Sequence, residues 1–113
     1  MNSLRNRVQL IGRLGQDPEV KRLESGKTVA KMNLATNDSY RDGQGNRVED
    51  TQWHNLVLWG NQAEIAEKFL NKGKEVAIDG RLVHRTYDDK EGKKRFITEV
   101  VVNEIVMIGK KGE

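Results

Sequence analysis

The sequence predicts an all-β domain with one short helix, folded as a closed five-stranded barrel with long hairpin loops. Three observations carry that prediction. Several runs alternate apolar and polar residues with the period of two expected of half-buried strands. A single stretch has helical spacing, and it falls after the third of those runs. Between the runs lie turns rich in Gly, Asp and Asn.

The first strand runs from Arg7 to Leu14, with Val8, Leu10, Gly12 and Leu14 on one side. Gly12 inside it marks a bend or a close backbone approach. Asp17-Pro18 breaks the strand, and Val20 to Leu23 resumes it. The turn Glu24-Ser25-Gly26-Lys27 leads into Thr28 to Asn37, where Ala30, Met32 and Leu34 line one face and Lys31 and Asn33 the other. Tyr40 to Asp50 is polar and glycine-rich, and reads as a long mobile hairpin loop. The third strand contains Thr51 to Trp59.

A helix follows from Gln62 to Asn71, with Asn61 as cap and Glu64 at capping-box spacing. Ile65, Ala66, Phe69 and Leu70 form its expected buried stripe, and Gly73 ends it. The fourth strand runs from Glu75 to Thr86 and turns through Asp88 to Lys94. The last begins near Arg95; its apolar residues on both faces fit a doubly buried strand or a subunit contact. Three strands, a helix and two strands is the order of the five-stranded OB barrel. One domain is expected over residues 1–108, with 109–113 as a short flexible end.

Bulk composition narrows the function classes. At 113 residues the chain can bury one core but not two. Its 20 basic and 17 acidic residues leave a formal charge of +3, which favours a polyanionic partner without establishing one. The absence of cysteine excludes disulfides, thiolate zinc sites and cysteine nucleophiles together, and fits a reducing compartment. Met1 to Arg7 contains no long apolar stretch of the kind that makes a signal or membrane anchor. A cytoplasmic protein with no membrane contact is the expectation.

The most informative segment is Trp53-His54-Asn55-Leu56-Val57-Leu58-Trp59. Residues of like parity share a strand face, so Leu56 and Leu58 point one way and both tryptophans the other. On parity alone a core, a subunit seam and a ligand face fit Trp53 and Trp59 equally well. A second run repeats the separation. Val76, Ile78, Gly80, Leu82 and His84 form an aliphatic stripe with a polar end, while Arg81, Val83, Arg85 and Tyr87 mix guanidinium groups with a ring. Cations follow a phosphate backbone and rings stack on bases, although Arg81 and Arg85 also suit a solvated strand face.

Gly12-Arg13-Leu14-Gly15-Gln16-Asp17-Pro18-Glu19-Val20, Leu34-Ala35-Thr36, Trp53-His54 with Val57-Leu58-Trp59-Gly60, Lys72-Gly73, Gly80-Arg81-Leu82 and Thr98-Glu99-Val100-Val101-Val102 resemble bacterial single-stranded DNA-binding protein. The resemblance covers nearly the whole chain in order. It implies an OB-fold homotetramer that coats and protects single-stranded DNA, without sequence preference, in replication, recombination and repair. It implies no catalysis, no cofactor and no metal, a nucleoid-associated place in the bacterial cytoplasm, and weaker binding of RNA. By the same resemblance Tyr40, Trp53, Trp59 and Tyr87 stack on bases, Lys21, Lys72 and Arg85 meet phosphates, and His54 lies near a subunit contact. Tyr40 and Tyr87 stand where tryptophan is common, and Asn55 where a basic residue is common. Many relatives carry a long acidic-tipped tail that recruits other proteins; this chain stops at Glu113 without it, which leaves tail-mediated partners in doubt.

Other features have plainer readings. Phe69 belongs on the helix stripe as core, whereas the pattern assigns Phe96 no role. Lys93-Lys94-Arg95 fits a solvated loop and a backbone-following loop equally, and Lys110-Lys111 fits a solvated tail. Asp88-Asp89 and Glu49-Asp50 are paired acids of the kind that hold magnesium, but their glycine-rich settings favour turn chemistry. His54 and His84 share the aliphatic parity and lack the i,i+4 partner of a zinc hydrolase, so both read as hydrogen-bonded structural residues. The competing readings are a primosome accessory of the same fold, a protein-interaction module that buries the tryptophans, and a metal-dependent nuclease.

Overall fold

The computed structural model describes residues 4–108. A 3-10 turn, Leu4–Asn6, precedes strands β1 (Val8–Leu14), β2 (Glu19–Arg22), β3 (Thr28–Arg41) and β4 (Arg47–Trp59). Helix α1 (Asn61–Phe69) and strands β5 (Glu75–Asp88) and β6 (Lys94–Met107) complete the order. The strands run β1-β5-β6-β4-β3-β2 in one sheet, and pairing of β1 with β3 closes it. The result is the expected five-stranded barrel. β1 and β2 act as one broken strand, with β1 on β5 and β2 continuing along β3 from Glu19↔Lys31 to Arg22↔Thr28.

Closure rests on two register pairs, Arg13↔Ala35 and Leu14↔Leu34. Gly12 precedes them because a Cβ there would lie 2.1 Å from the Ala35 carbonyl oxygen, so only glycine lets the two backbones approach. Inside the barrel, Leu14, Ala30, Met32, Leu34, Leu56, Leu58, Val76, Ile78, Val100 and Val102 form one buried cluster. Ala63, Ala66 and Leu70 bring α1 against that cluster. The alternation predicted for β1, β3 and β4 sorts core from surface except at Val29 and Val57, which have the outer parity and are nevertheless buried.

Four local expectations are corrected. The segment Tyr40 to Asp50 is not a long loop, because β3 and β4 stay paired out to Arg41↔Arg47 and only residues 42–46 turn. Asp42 makes so short a turn possible: its Oδ1 accepts the Gln44 and Asn46 backbone N–H groups at 2.9 Å each, and Gly45 takes φ 82°. The capping box is absent, since Gly60 (φ 59°) is the cap, no side chain caps the helix, and Asn61 is already its first residue. The Glu64 backbone N–H bonds to the Gly60 carbonyl instead.

Phe69 is exposed, not core. The helix buries its small residues Ala63 and Ala66 together with Leu70, and at 3.6 residues per turn Phe69 sits roughly a quarter turn off that face. The aliphatic stripe of β5 also ends early. A bulge between Asp79 and Gly80 shifts the β5–β6 register, after which Leu82 and His84 lie exposed on a ribbon that outruns the barrel. The ribbon is pinned near its base by Asn6, whose side-chain amide donates to the Leu82 carbonyl at 3.0 Å and accepts its N–H at 2.8 Å.

The β5–β6 turn repeats the Asp42 device. Asp89 Oδ1 accepts the Glu91 and Lys93 N–H groups, and Oδ2 accepts from Arg95 at 2.8 Å. These bonds hold both carboxyls below the usual aspartate range, the backbone N–H donors of Asn46 and of Lys93 being the largest causes. A depressed folded-state pKa means the stabilisation is complete above the ordinary aspartate value and is lost as pH falls through the lowered one. The Gln44, Asn46, Glu91 and Lys93 amide resonances should therefore hold steady through mild acid and move only below the ordinary aspartate pKa. A pH titration by NMR reads this directly, and Asp42→Asn should abolish the steps at residues 44 and 46 alone.

Candidate nucleic-acid interface

The barrel interior takes the even-numbered side chains of β3 and β4, in the pairs Ala30↔Leu58, Met32↔Leu56 and Leu34↔His54. The odd-numbered side chains must then face outward. Three cross-strand rows of that outer face follow from the register. One joins Lys21, Val29 and Trp59; a second joins Glu19, Lys31, Val57, Val101 and Arg81; a third begins with Ala35 and Trp53. Val83, Arg85 and Tyr87 share the parity of Arg81 on β5. Lys21, Trp53, Trp59, Arg81, Arg85 and Tyr87 are thus brought onto one face of the sheet.

Trp53 is 60% exposed and Trp59 44%, which rules out the core reading for both within this chain. The Trp53 ring lies over Gly15, where a Cβ would stand 2.4 Å from its Cζ3. Gly15 thus lets the six-membered ring of the indole approach the backbone, a support that parity alone does not reveal. Trp59 borders an open cavity of about 460 Å³ with Gly26, Lys27, Thr28, Gly60 and Glu64. Tyr40 and Tyr87 are also exposed, each near the tip of a hairpin. Tyr40 pairs with Val48 on the ribbon beyond the barrel and has the other parity, so the register does not bring it onto the face of the tryptophans.

Residues 5–108 match the single-strand binding protein family. The chain belongs to this family. It is 45% identical over 107 residues to single-stranded DNA-binding protein 1 of Chlorobaculum tepidum, covering 94% of this chain and 66% of the relative. With single-stranded DNA-binding protein 1 of Xylella fastidiosa the identity is 42%, over 94% of this chain and 79% of the relative. The Neisseria meningitidis serogroup A protein is 43% identical, over 96% and 62%. The chain thus spans less than two thirds of the length of some of these relatives. Among solved structures, Plasmodium falciparum SSB in complex with ssDNA superposes with a TM-score of 0.84 at 32% identity, covering 96% of this chain and 98% of the other. An SSB deletion mutant from Thermus aquaticus superposes at 0.81 with 31% identity, over 95% and 52%.

The cations of this single-strand binding family member fall into two classes. Among the described residues, no carboxylate forms an ion pair with Lys21, Lys72 or Arg81. Lys72 stands apart from the sheet face, in the turn after α1, where its backbone N–H donates to Asp17 Oδ1 at 2.8 Å beside Arg13. Arg85 is engaged. Its Nε and Nη2 donate to the two oxygens of Glu99 at 2.9 and 3.1 Å, and its guanidinium sits 5.9 Å from the Tyr87 ring centroid. The hydrogen bonds and charge of Glu99 hold Arg85 above its ordinary pKa.

Sequence reasoning missed Glu99 because an acidic residue between Thr98 and Val100 in a strand gives no sign that it is 6% exposed. The histidines behave as structural residues: His54 Nε2 lies 3.0 Å from Thr36 Oγ1, and His84 Nδ1 lies 2.8 Å from Thr98 Oγ1. His84 is exposed, however, and does not face the core. Asp89 serves the turn, as its setting predicts.

Arg85→Ala would leave a buried carboxylate without its partner, at a cost of about 1–3 kcal/mol. Arg81→Ala removes an exposed, unpaired side chain and should stay within about 0.5 kcal/mol of wild type. Urea unfolding of the two variants separates these outcomes.

Proposed function

We propose that this chain binds single-stranded DNA without sequence preference, coating and protecting it in replication, recombination and repair. The observation that carries the reading is the common outer face, where exposed Trp53, Trp59 and Tyr87 alternate with unpaired Lys21 and Arg81. Rings offer every base a π-face, and cations neutralise phosphates and release counterions. Tyr40 extends the platform along the β3–β4 ribbon, and Lys72 adds a cation at its margin. Arg85 meets the strand as a guanidinium already bound to Glu99, so it also holds Tyr87 in place. Duplex binds poorly because its bases are already stacked, and RNA binds more weakly than DNA. The solved relative with ssDNA bound supports the reading, and no catalytic step is assigned.

Titration with oligo-dT, followed by tryptophan fluorescence, tests this. Saturable quenching that weakens as salt rises is expected. Trp53→Ala should lose about 1–3 kcal/mol of binding. Arg81→Ala should flatten the log–log salt slope by about 0.7, the value of one released single-strand phosphate contact. Unchanged emission on adding oligonucleotide would overturn the proposal in favour of a protein-interaction module.

We further propose a homotetramer, with His54 near a subunit contact. Supporting it is a second apolar surface away from the tryptophans. Ile11, Ala77 and Val106 form a cross-strand row, with Ile11 61% and Val106 54% exposed, beside a cavity of about 380 Å³. The neighbouring edge of β1 from Val8 to Gly12 has no second strand partner among the described residues. Sedimentation equilibrium should give four times the chain mass, and the mass of one chain would overturn the assembly.

A further inference from the structure

Trp53 and Trp59 are six residues apart on β4, about 20 Å along an extended strand. Stacked bases in one strand repeat about every 3.4 Å. Bases lying on the two indoles are therefore not stacking neighbours, and a strand that engages both rings by the direct path crosses the sheet between them.

The surface they cross is concave. A cavity of about 190 Å³ opens there, lined by Gln16, Lys31, Asn33, Asn55, Ile97 and Glu99. Its polar groups are oriented by a short chain of hydrogen bonds. The Thr98 carbonyl accepts from Asn55 Nδ2 at 3.4 Å, and a carbonyl can only accept. Asn55 must therefore turn its Oδ1 toward Asn33, whose Nδ2 donates to it at 3.1 Å. This fixes both amides and leaves Asn33 Oδ1 as an oriented acceptor. Glu99 adds carboxylate oxygens whose charge Arg85 balances and which keep further lone pairs. The cavity thus presents acceptors at a point where an anionic strand passes, without an uncompensated negative charge.

We propose that this cavity is a base-edge site, taking the exocyclic amino group of cytosine or adenine from the nucleotide that crosses between Trp53 and Trp59. The inference rests on the single-strand reading above and deepens it. Cytosine N4 and adenine N6 are donors, and Asn and Glu are their natural acceptors. Thymine offers O4 at the same position, which sets oxygen against oxygen. Lys31, at the same cavity, serves the backbone and is indifferent to the base. Binding overall stays sequence-tolerant, with a local preference at this one position.

The test compares oligo-dC with oligo-dT of equal length, in slightly alkaline buffer at a salt concentration where both dissociation constants are measurable. Asn33→Ala should hold or raise oligo-dT affinity, by relief of the oxygen–oxygen repulsion, and weaken oligo-dC by about fivefold, the loss of one hydrogen bond. Asn33→Val, whose β-branched side chain suits a strand, should repeat the result if the alanine variant folds poorly. Lys31→Ala should weaken both oligomers alike. An unchanged dC-to-dT ratio in the Asn33 variants, or equal losses on both oligomers, overturns the site. A wild-type chain that binds neither oligomer overturns the single-strand reading along with it.

Discussion

The short ladder between β1 and β3 is the constraint from which the rest of the molecule follows. Two register pairs, Arg13↔Ala35 and Leu14↔Leu34, turn an open sheet into a barrel with a single interior. The same joint is tied to the segment after α1: the Leu14 N–H donates to the Lys74 carbonyl, and the Gly73 N–H donates to the Leu14 carbonyl, at 3.0 and 2.8 Å. Once the barrel is closed, strand parity leaves no freedom. Leu34, Leu56 and Leu58 fill the interior, and the residues between them must face out. The exposure of Trp53 and Trp59 is a consequence of that closure, because the one available core is already full. Gly12 permits the joint and Gly15, three residues on, supports the Trp53 ring, so closure and site share one short segment.

Electrostatics on the outer face are more economical than the composition implies. A net charge of +3 is small for a protein proposed to meet a polyanion. Among the described residues several arginines are also engaged: Arg7 with Asp79, Arg13 with Glu75, Arg22 with Glu67, Arg85 with Glu99 and Arg95 with Asp89. Among the described residues Lys21 and Arg81 form no ion pair; Lys21 shares a row with Trp59, and Arg81 lies in the next row. Each phosphate contact adds a salt-sensitive increment, whereas each stacked ring contributes about 1–3 kcal/mol. Arg85 joins the two effects, since its pairing with Glu99 places a fixed charge against the Tyr87 ring.

The parts of this molecule legible in the sequence are those that touch the core. Alternation in β1, β3 and β4 was readable because a buried interior imprints a period of two on every strand that faces it. The ribbon from Asp38 to Asp50 has no core beneath it. Its pairs, Asp38↔Asp50 and Ser39↔Glu49 among them, are polar on both strands, and a paired segment therefore reads as a loop. Tyr40 sits on that ribbon, and only the family resemblance pointed to it. Phe69 misled for the opposite reason: a large apolar residue at helical spacing is expected inside, yet the helix packs closely through its alanines. Pairings between distant strand positions, such as Arg85 with Glu99 and Asn33 with Asn55, depend on register and twist, which no single strand pattern encodes.

Among the described residues, two of the exposed apolar surfaces differ in chemistry, and that difference separates the partners they suit. The row Ile11, Ala77 and Val106 is aliphatic, lies beside the open edge of β1, and carries no aromatic side chain. Branched aliphatic groups interdigitate with others of their kind and exclude water, which matches a second copy of the same surface. The face of Trp53 and Trp59 offers flat rings instead, interrupted by amides and bordered by unpaired cations. Such a surface packs poorly against an aliphatic layer, because its cations and the remaining acceptor of Asn33 would be buried without partners. Alternating rings, charges and polar edges instead match a chain that alternates bases with phosphates. The barrel thus directs the two classes of apolar residue to different places, and each surface is unsuited to the other's partner.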